Sequence, residues 1–352
     1  MDFSRLRRRH FGTLSALSMA GWAGVGALAE PSPSPFTAGI DPLRVAVGGS
    51  GLLYHLPLTI AQELGFFRAE GLHVVVQDYA GGALALQALQ DGEADVCSGA
   101  YDHVLRQQLL GRSYRAIVLQ GRAPQLALAA SARAWPMKSV ARFKGMRVGV
   151  SALGSSTHHV AQLMLSRDGA PLDEVSFIGV GSGMGAVAAL RQGQVHALCH
   201  ADPIVSALEQ RSEVRVLCDT RSLKGSQELF GGSMPAASLY APQSFVQKQP
   251  ARSQALANAM VHALKWLQTA SPADLVRVVP SGYLLGERGA YLAAFHKVRD
   301  TFSPDGLMPD DGPANAARVL ARLRSELAPL KIDLGRTFTN EFARKAKQKF
   351  NA

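Results

Sequence analysis

Short apolar segments alternate with longer amphipathic segments through most of the chain. Residues 116–119 and 177–180 are apolar without alternation, which is typical of strands covered on both faces of a sheet. Segments with helical spacing lie between such strands, and two of them end at Gly92 and Gly193, where a left-handed cap needs no Cβ. The pattern predicts an α/β protein of parallel strand–loop–helix units rather than an all-β protein or a helix bundle.

The strand pattern occurs twice along the chain. Residues 43–47 and 146–150 both read apolar-Arg-Val-small-Val, and each is followed by a Gly/Ser loop that reaches a histidine, His55 or His158, as a helix begins. Two further segments match at a constant offset of 101, residues 82–95 and 183–196. The repeat predicts two equivalent lobes.

Ligands of open α/β sheets bind outside the carboxyl ends of the strands. The loops at these ends are therefore expected to face one another across a cleft: 48–55, 80–83, 98–101, 151–158, 180–184 and 200–203. The predicted units are a first lobe of residues 43–120 with 237–352, a second lobe of residues 125–230, and hinges at 120–124 and 231–236. The helical C-terminal tail is expected to pack on the first lobe.

The N-terminal segment of residues 1–29 has the pattern of an export signal. A basic start contains Arg8-Arg9, an uncharged stretch follows, and Ala27-Leu28-Ala29 fits a cleavage site. The arginine pair resembles the twin-arginine type, although Gly12 replaces the usual leucine. Residues 30–42 form a proline-rich leader. The chain is therefore expected in the periplasm, cleaved after Ala29.

Composition narrows the function classes. The 352 residues carry a formal charge of +10, but the basic residues are spread along the chain, so a nucleic-acid partner is not expected. Three cysteines are too few for a disulfide scaffold, and no Cys/His cluster has zinc spacing. Residues 181–186 fit only a weak dinucleotide pattern, and no phosphate-binding GxxxxGK[ST] loop occurs. No metal and no cofactor are predicted.

Two loops offer polar groups to the expected cleft. Ser155, Ser156 and Thr157 open a helix whose free amides suit an anion or a polar oxygen, and Gly82 begins a second such helix in the other lobe. Ordinary helix capping explains the same residues equally well.

A third loop, from Ser50 to His55, carries apolar and aromatic groups, among them Leu53 and Tyr54. Tyr54 and His55 either bind a ligand or belong to the core at the helix start. At the first hinge, Arg122 close to Gln120 would neutralise an anionic ligand or else lie in solvent.

Several motifs together resemble periplasmic solute-binding proteins of the nitrate/sulfonate/taurine class, within a broader group that includes thiamine-precursor-binding proteins. They are Gly65-Phe66-Phe67-Arg68-Ala69-Glu70-Gly71-Leu72, Gly92-Glu93-Ala94-Asp95 and the segment from Val148 to Thr157. The resemblance covers about residues 43–240. It implies a type II periplasmic binding fold, in which two α/β lobes are joined by a two-segment hinge. By position it assigns cleft roles to Ser50, Tyr54, His55, Gly82, Gly99, Ala100, Ser155, Ser156, Thr157 and Asp202.

The implied function is solute capture for an ABC importer, with its membrane permease and ATPase as partners and the binding protein itself a monomer. A sulfonate-like anion or an aromatic or heteroaromatic acid is the expected solute. His55-Leu56-Pro57-Leu58 also resembles the segment of thiamine-pyrimidine binders. An enzyme on the same fold, with His55 or His158 as base, remains the alternative of another class. Asp202 would disfavour a simple anion unless it pairs with His200 or Arg122.

Overall fold

Two five-stranded sheets form the centres of two lobes. The computed structural model describes residues 41–133, 143–323 and 332–352. The predicted export signal and nearly all of the leader lie outside the described residues. No helix among the described residues is both long and apolar enough to span a bilayer.

The first sheet has the order β2-β1-β3-β10-β4. Its strands are β1 (Leu43–Gly48), β2 (Val74–Tyr79), β3 (Val96–Ala100), β4 (Tyr114–Leu119) and β10 (Ala237–Pro242). The second sheet has the order β7-β6-β8-β5-β9. Its strands are β5 (Leu126–Ser131), β6 (Arg147–Val150), β7 (Ser176–Gly179), β8 (Ala197–Ala201) and β9 (Val214–Asp219).

The prediction of purely parallel sheets is wrong for one strand in each lobe. β10 runs antiparallel to β3 and β4, and β5 runs antiparallel to β8 and β9. These are the strands that enter a lobe directly from the other lobe. Such a strand arrives from the end of the sheet at which the cleft lies, so it runs opposite to its neighbours.

The helices of the first lobe are α1 (Leu56–Glu63), α2 (Phe66–Ala69), α3 (Gly82–Gln90) and α4 (Tyr101–Leu109). Those of the second lobe are α5 (Ser156–Arg167), α6 (Met184–Arg191), α7 (Ile204–Gln210) and α8 (Leu223–Phe230). The tail forms α9 (Gln243–Lys248), α10 (Pro250–Thr269), α11 (Pro272–Val278), α12 (Arg288–Val298), α13 (Gly312–Leu323) and α14 (Glu341–Phe350). Short 3-10 helices span Leu53–His55, Leu172–Glu174, Ser281–Leu284, Arg299–Thr301 and Leu334–Arg336.

The two crossing segments lie side by side. The amides of Gln120 and Gly121 donate to the carbonyl of Ala237, and Ala236 donates back to Gly121. The tail adds a third segment, because Arg122 donates its amide to Thr301, and Ser303 donates to Gln120. Sequence reasoning missed this third segment.

The tail contacts both lobes rather than the first alone. α10 packs on α1 and β4 of the first lobe. α12, however, contacts α7 of the second lobe, and α13 lies against α4 and α5, one helix from each lobe. α13 therefore lies beside the opening between the lobes.

Candidate functional site

The cleft between the lobes contains two adjoining pockets. The inner pocket is lined by Gly48, Leu52, Tyr54, His55, Gly82, Gly99, Ala100, His103, Leu126, Ser151, Ser156, Thr157 and Ala201. The outer pocket is lined by Tyr54, Ala100, Asp102, Pro124, Ser156, His159, Val160, Leu163, Met234, Pro235, Ala236, Ala316, Val319 and Leu320. Tyr54, Ala100 and Ser156 line both, so the two pockets adjoin at these residues.

Close backbone approach shapes the inner pocket. A Cβ added to Gly48, at the end of β1, would lie only 2.3 Å from the amide nitrogen of Gly82 at the start of α3. Real Cβ atoms essentially never show such a distance. Glycine at position 48 therefore lets the strand end touch the helix N-terminus.

A chain of buried hydrogen bonds holds His55 at the wall of the inner pocket. Gln120 Nε2 donates to Ser98 Oγ (2.9 Å), and Ser98 Oγ lies 3.0 Å from His55 Nδ1. The Ser98 hydroxyl has one proton and two lone pairs, so it can accept from Gln120 and also bond to His55 Nδ1. Burial lowers the pKa of His55 to about 3, so this imidazole is neutral at physiological pH. The resemblance gave His55 a cleft role, and the structure places it in the lining.

Two polar atoms of the lining have no partner in hydrogen-bonding geometry within the described residues, although the Ser156 side chain lies close to the first of them. They are the Tyr54 hydroxyl oxygen and His103 Nε2, on side chains that are almost completely buried. The other ring nitrogen of His103 lies 3.1 Å from the Tyr240 hydroxyl. Burial raises the pKa of Tyr54 and lowers that of His103 to about 4, which makes both groups neutral. A buried polar atom left without a partner costs about 1–3 kcal/mol, so both atoms favour a hydrogen-bonding guest.

The lobes touch directly across the cleft. Ser155 Oγ, at the start of α5, accepts a 2.9 Å hydrogen bond from the amide of Ala83 in α3. Leu53 donates its amide to the carbonyl of Asp202 (2.8 Å). The Ser155 hydroxyl thus caps the helix of the opposite lobe instead of its own, while Thr157 Oγ1 accepts from the amide of Ser151 (3.0 Å).

A charged contact closes the outer pocket. His159 Nδ1 of α5 lies 2.9 Å from Asp102 Oδ2 of α4, and Arg106 of α4 contacts His159 Nε2. A carboxylate only accepts and a guanidinium only donates, so Nδ1 carries the imidazole proton and Nε2 accepts. His159 thus bridges Asp102 and Arg106, and the Arg106 charge compensates that of Asp102. Burial alone would raise the pKa of Asp102, but His103, His159 and Arg106 hold it below its usual range.

The outer pocket is otherwise apolar. Its far wall is formed by Val160 and Leu163 of α5 facing Ala316, Val319 and Leu320 of α13. Together, the two pockets offer a neutral polar end and an apolar end to one guest.

The structure does not bring every residue named from the sequence into the lining. The side chain of Leu53 is buried in the core beneath the first sheet. Ser50 Oγ donates to Asp78 (2.8 Å) and accepts from the Tyr283 hydroxyl. The guanidinium of Arg122 donates to the carbonyls of Asp300 and Phe302. Gln120 supports His55 from behind and acts on the cleft only through Ser98.

The Asp202 side chain does not line the cleft, where the resemblance placed it, and it pairs with neither His200 nor Arg122. Its carboxylate is fully buried, lies 3.2 Å from Arg221 Nη1 and accepts from the amide of Ser206 (2.8 Å). Arg221 also pairs with Asp219 and Glu209. Asp202 thus forms part of a buried ion cluster inside the second lobe, and only its carbonyl reaches across to Leu53.

Sequence reasoning missed Ser98, Asp102, His103, Arg106 and His159. Each lies within a few residues of a predicted cleft loop, at 98–101 or 151–158. The signal available was the run Tyr101-Asp102-His103, in which three polar or aromatic residues follow a buried strand end directly.

No group of three or more His, Cys, Asp or Glu side chains in the described part of the chain is arranged to hold a metal ion. Cys97, Cys199 and Cys218 are buried free thiols, and burial raises the pKa of each.

Solved structures of low identity share this fold. The periplasmic aliphatic sulphonate binding protein SsuA of Escherichia coli is 20% identical, with a TM-score of 0.60 over 86% of this chain and 99% of that chain. The periplasmic nitrate-binding protein NrtA of Synechocystis PCC 6803 is 16% identical, with a TM-score of 0.66 over 88% and 89%. The desulfurization enzyme DSZB, 17% identical, also has this fold (TM-score 0.57 over 87% and 99%), so the fold alone does not separate a binding protein from an enzyme.

A protein of Bordetella bronchiseptica RB50 is much more similar. It is 47% identical, with a TM-score of 0.86 over 88% of this chain and 98% of that chain. A comparison with curated proteins finds no match. The family described as NMT1/THI5 like matches residues 53–273, which is more than half of the chain and includes nearly the whole cleft. The resemblance is confirmed at the level of fold and family, and the chain belongs to the NMT1/THI5-like family.

Proposed function

We propose that this protein is the solute-binding component of an ABC importer. It is exported to the periplasm, encloses a small organic solute between its lobes, and delivers the solute to a membrane permease and its ATPase. The observation that carries this proposal is the pair of partnerless buried atoms, Tyr54 Oη and His103 Nε2, in a cleft that both lobes complete.

The contacts across the cleft support a closing motion. Ser155 with Ala83 and His159 with Asp102 join opposite lobes, while the lobes are connected by two adjacent crossing segments. Bending at these segments would break these contacts, together with those of the tail helices α12 and α13 to the second lobe, without unfolding either sheet. Hinge closure around a ligand is a common device of such two-lobed proteins.

The lining is poorly suited to the alternative, an enzyme with His55 as base. A general base works best with a pKa near the operating pH, whereas that of His55 is lowered to about 3. The hydroxyl beside it, on Ser98, is fully buried behind the imidazole and already accepts from Gln120. A nucleophile in that position does not reach a guest in the pocket.

The proposal is tested by melting the purified protein against a panel of sulfonates, nitrate, aromatic acids and pyrimidines. Mass spectrometry of each compound before and after incubation is the second readout. We expect at least one compound to raise the melting temperature, because a ligand stabilises the state that binds it, and to be recovered unchanged. Turnover of a bound compound would overturn the proposal in favour of the enzyme.

Two variants test whether the solute binds in the cleft. Ser155→Ala combined with Ser156→Ala removes the hydroxyls at the start of α5 and should weaken binding while leaving the fold intact. Ser166→Ala near the exposed end of the same helix is the matched control. Equal affinity of the two variants would show that the start of α5 serves only as a helix cap.

A further inference from the structure

The cleft contains no uncompensated charge among the described residues. No lysine or arginine lines either pocket, and Asp102 is the only carboxylate. That carboxylate is bonded to His159, which accepts from Arg106. His55 and His103 are the other histidines of the lining. Both are neutral, because burial lowers their pKa values to about 3 and about 4.

Binding of an anion or of a cation in this cleft is therefore disfavoured. An anion would be enclosed without a cation in the lining, and a buried unpaired charge is costly. The amide of Ala83, at the start of α3, already donates to Ser155 and is not available to an anion. A cation would have to compete with Arg106 for Asp102.

The polar and the apolar groups of the lining lie at opposite ends of the cleft. Hydrogen-bonding groups without a protein partner are found at Tyr54 and His103, in and beside the inner pocket. Beyond Tyr54, the outer pocket presents the aliphatic side chains of Val160, Leu163, Val319 and Leu320. A guest that fills both pockets places a polar head against Tyr54 and His103, and an apolar tail between α5 and α13.

We infer that the solute is an uncharged amphiphile, with a hydrogen-bonding amide or heteroaromatic head and an apolar tail. This inference rests on the proposed function, since it describes the guest of the same cleft. It replaces the expectation of a sulfonate-like anion or an aromatic acid by a neutral compound of a different shape.

The test compares three probes by calorimetric titration of the purified protein. Benzamide has the head alone, 4-butylbenzamide has head and tail, and 4-butylbenzenesulfonate has the same tail on an anionic head. Each methylene of the amide series should tighten Kd about fourfold, the equivalent of ~0.8 kcal/mol for a buried CH2 group. The sulfonate should bind at least about tenfold more weakly than the matched amide, the equivalent of ~1.4 kcal/mol.

Variants separate the two ends of the guest. Tyr54→Phe removes the head contact and should weaken benzamide and 4-butylbenzamide by the same factor. Val319→Ala should reduce the gain per methylene and leave benzamide unaffected. Val75→Ala, at an exposed position of β2 away from the cleft, is the matched control and should change neither Kd.

The results that would contradict this inference differ from those that would contradict the proposed function. Tighter binding of the sulfonate, a Kd independent of tail length, or no binding of any amide overturns the inference. If taurine or nitrate binds in place of the amides, the proposed function stands and only the uncharged ligand class falls. If an amide binds and is hydrolysed, the proposed function falls while the description of the cleft stands.

Discussion

The two lobes are built on the same plan but contribute differently to the cleft. Each sheet has a central strand flanked by equivalent neighbours, in the orders β2-β1-β3-β10-β4 and β7-β6-β8-β5-β9. Even the register shift of the crossing strand occurs in both, at Leu239/Tyr240 and at Leu128/Ala129. The scaffold is thus duplicated down to an irregularity, whereas the loops that it carries are not.

The equivalent histidines show the difference. His55 follows β1 and is buried against Ser98 at the inner pocket. His158 follows β6, where it accepts from the amide of Gly154 and packs on Phe177. The same position therefore lines the ligand space in one lobe and supports a loop in the other. Repeated sequence predicts the scaffold, but function has to be found loop by loop.

The largest expected difference in stability between the lobes concerns positions 101 and 202, which correspond in the repeat. Tyr101 bonds to Thr337 through its hydroxyl, whereas Asp202 is buried against Arg221. Arg221→Met leaves a buried carboxylate unpaired and should lower the free energy of unfolding by about 3–5 kcal/mol. Tyr101→Phe should lower it by only about 0.5–1.5 kcal/mol.

Urea unfolding of the two variants measures this contrast. Arg221→Lys, which keeps the charge, is the control and should lose less stability than Arg221→Met. Equal losses for Arg221→Met and Tyr101→Phe would show that the ion cluster of the second lobe is no more important than a single hydrogen bond.

An effect of intermediate size is expected in the pH dependence of the unfolding free energy. Because the pKa of His55 is lowered to about 3 by burial, the unfolded chain binds a proton that the folded chain does not, at pH values between about 6.5 and 3. The stability that depends on neutral His55 is therefore complete above about pH 6.5 and is lost as the pH falls toward 3. The loss is on the order of 4 kcal/mol.

His55→Gln removes this proton and should flatten the pH dependence of the unfolding free energy. The measurement is denaturant unfolding of both proteins at a series of pH values, and only the difference between the two curves matters, since other histidines titrate in both. Parallel curves would contradict a buried neutral His55.

The smallest expected effect concerns the contact that joins the first and third strands of each repeat. In the first lobe, Asp95 accepts from the amide of Arg44 and pairs with its guanidinium (2.8 Å). In the second, His196 Nδ1 accepts from the amide of Arg147 (3.1 Å), and burial and the Arg147 charge lower the pKa of His196. The first contact is an ion pair and the second is neutral.

Double-mutant cycles measured at low and at high salt should distinguish the contacts of the two lobes. The half-exposed Arg44–Asp95 pair should contribute about 0.2–1 kcal/mol and weaken as salt screens it. The Arg147–His196 coupling should be insensitive to salt. A salt-dependent coupling in both lobes would mean that the two contacts are electrostatically alike.

The sequence alone predicts the scaffold because its signals are local or repeated. Gly92 and Gly193 end their helices with φ values of +76° and +69°, and the loops after the strands meet at the cleft as their apolar strands indicate. The two antiparallel strands could not be distinguished, since an apolar run has the same composition in either direction.

The missed parts of the site depend on distant residues. Asp102 and His159 come from different lobes, and Asp202 finds Arg221 on a loop that no local pattern relates to it. Ser155 resembles an ordinary helix cap until the opposite lobe brings Ala83 to its hydroxyl. Such contacts follow from the packing of the lobes, which a pattern along the chain does not contain.

The central claim is that the lobes close on a guest. Its most direct test is the distance between spin labels at Leu110→Cys on the first lobe and Met184→Cys on the second, two positions that are 69% and 53% exposed. The native cysteines are buried and should not take up label. The solute that most raises the melting temperature should shift a broad distribution to the single separation of the closed structure. An unchanged distribution at saturating solute would contradict the claim.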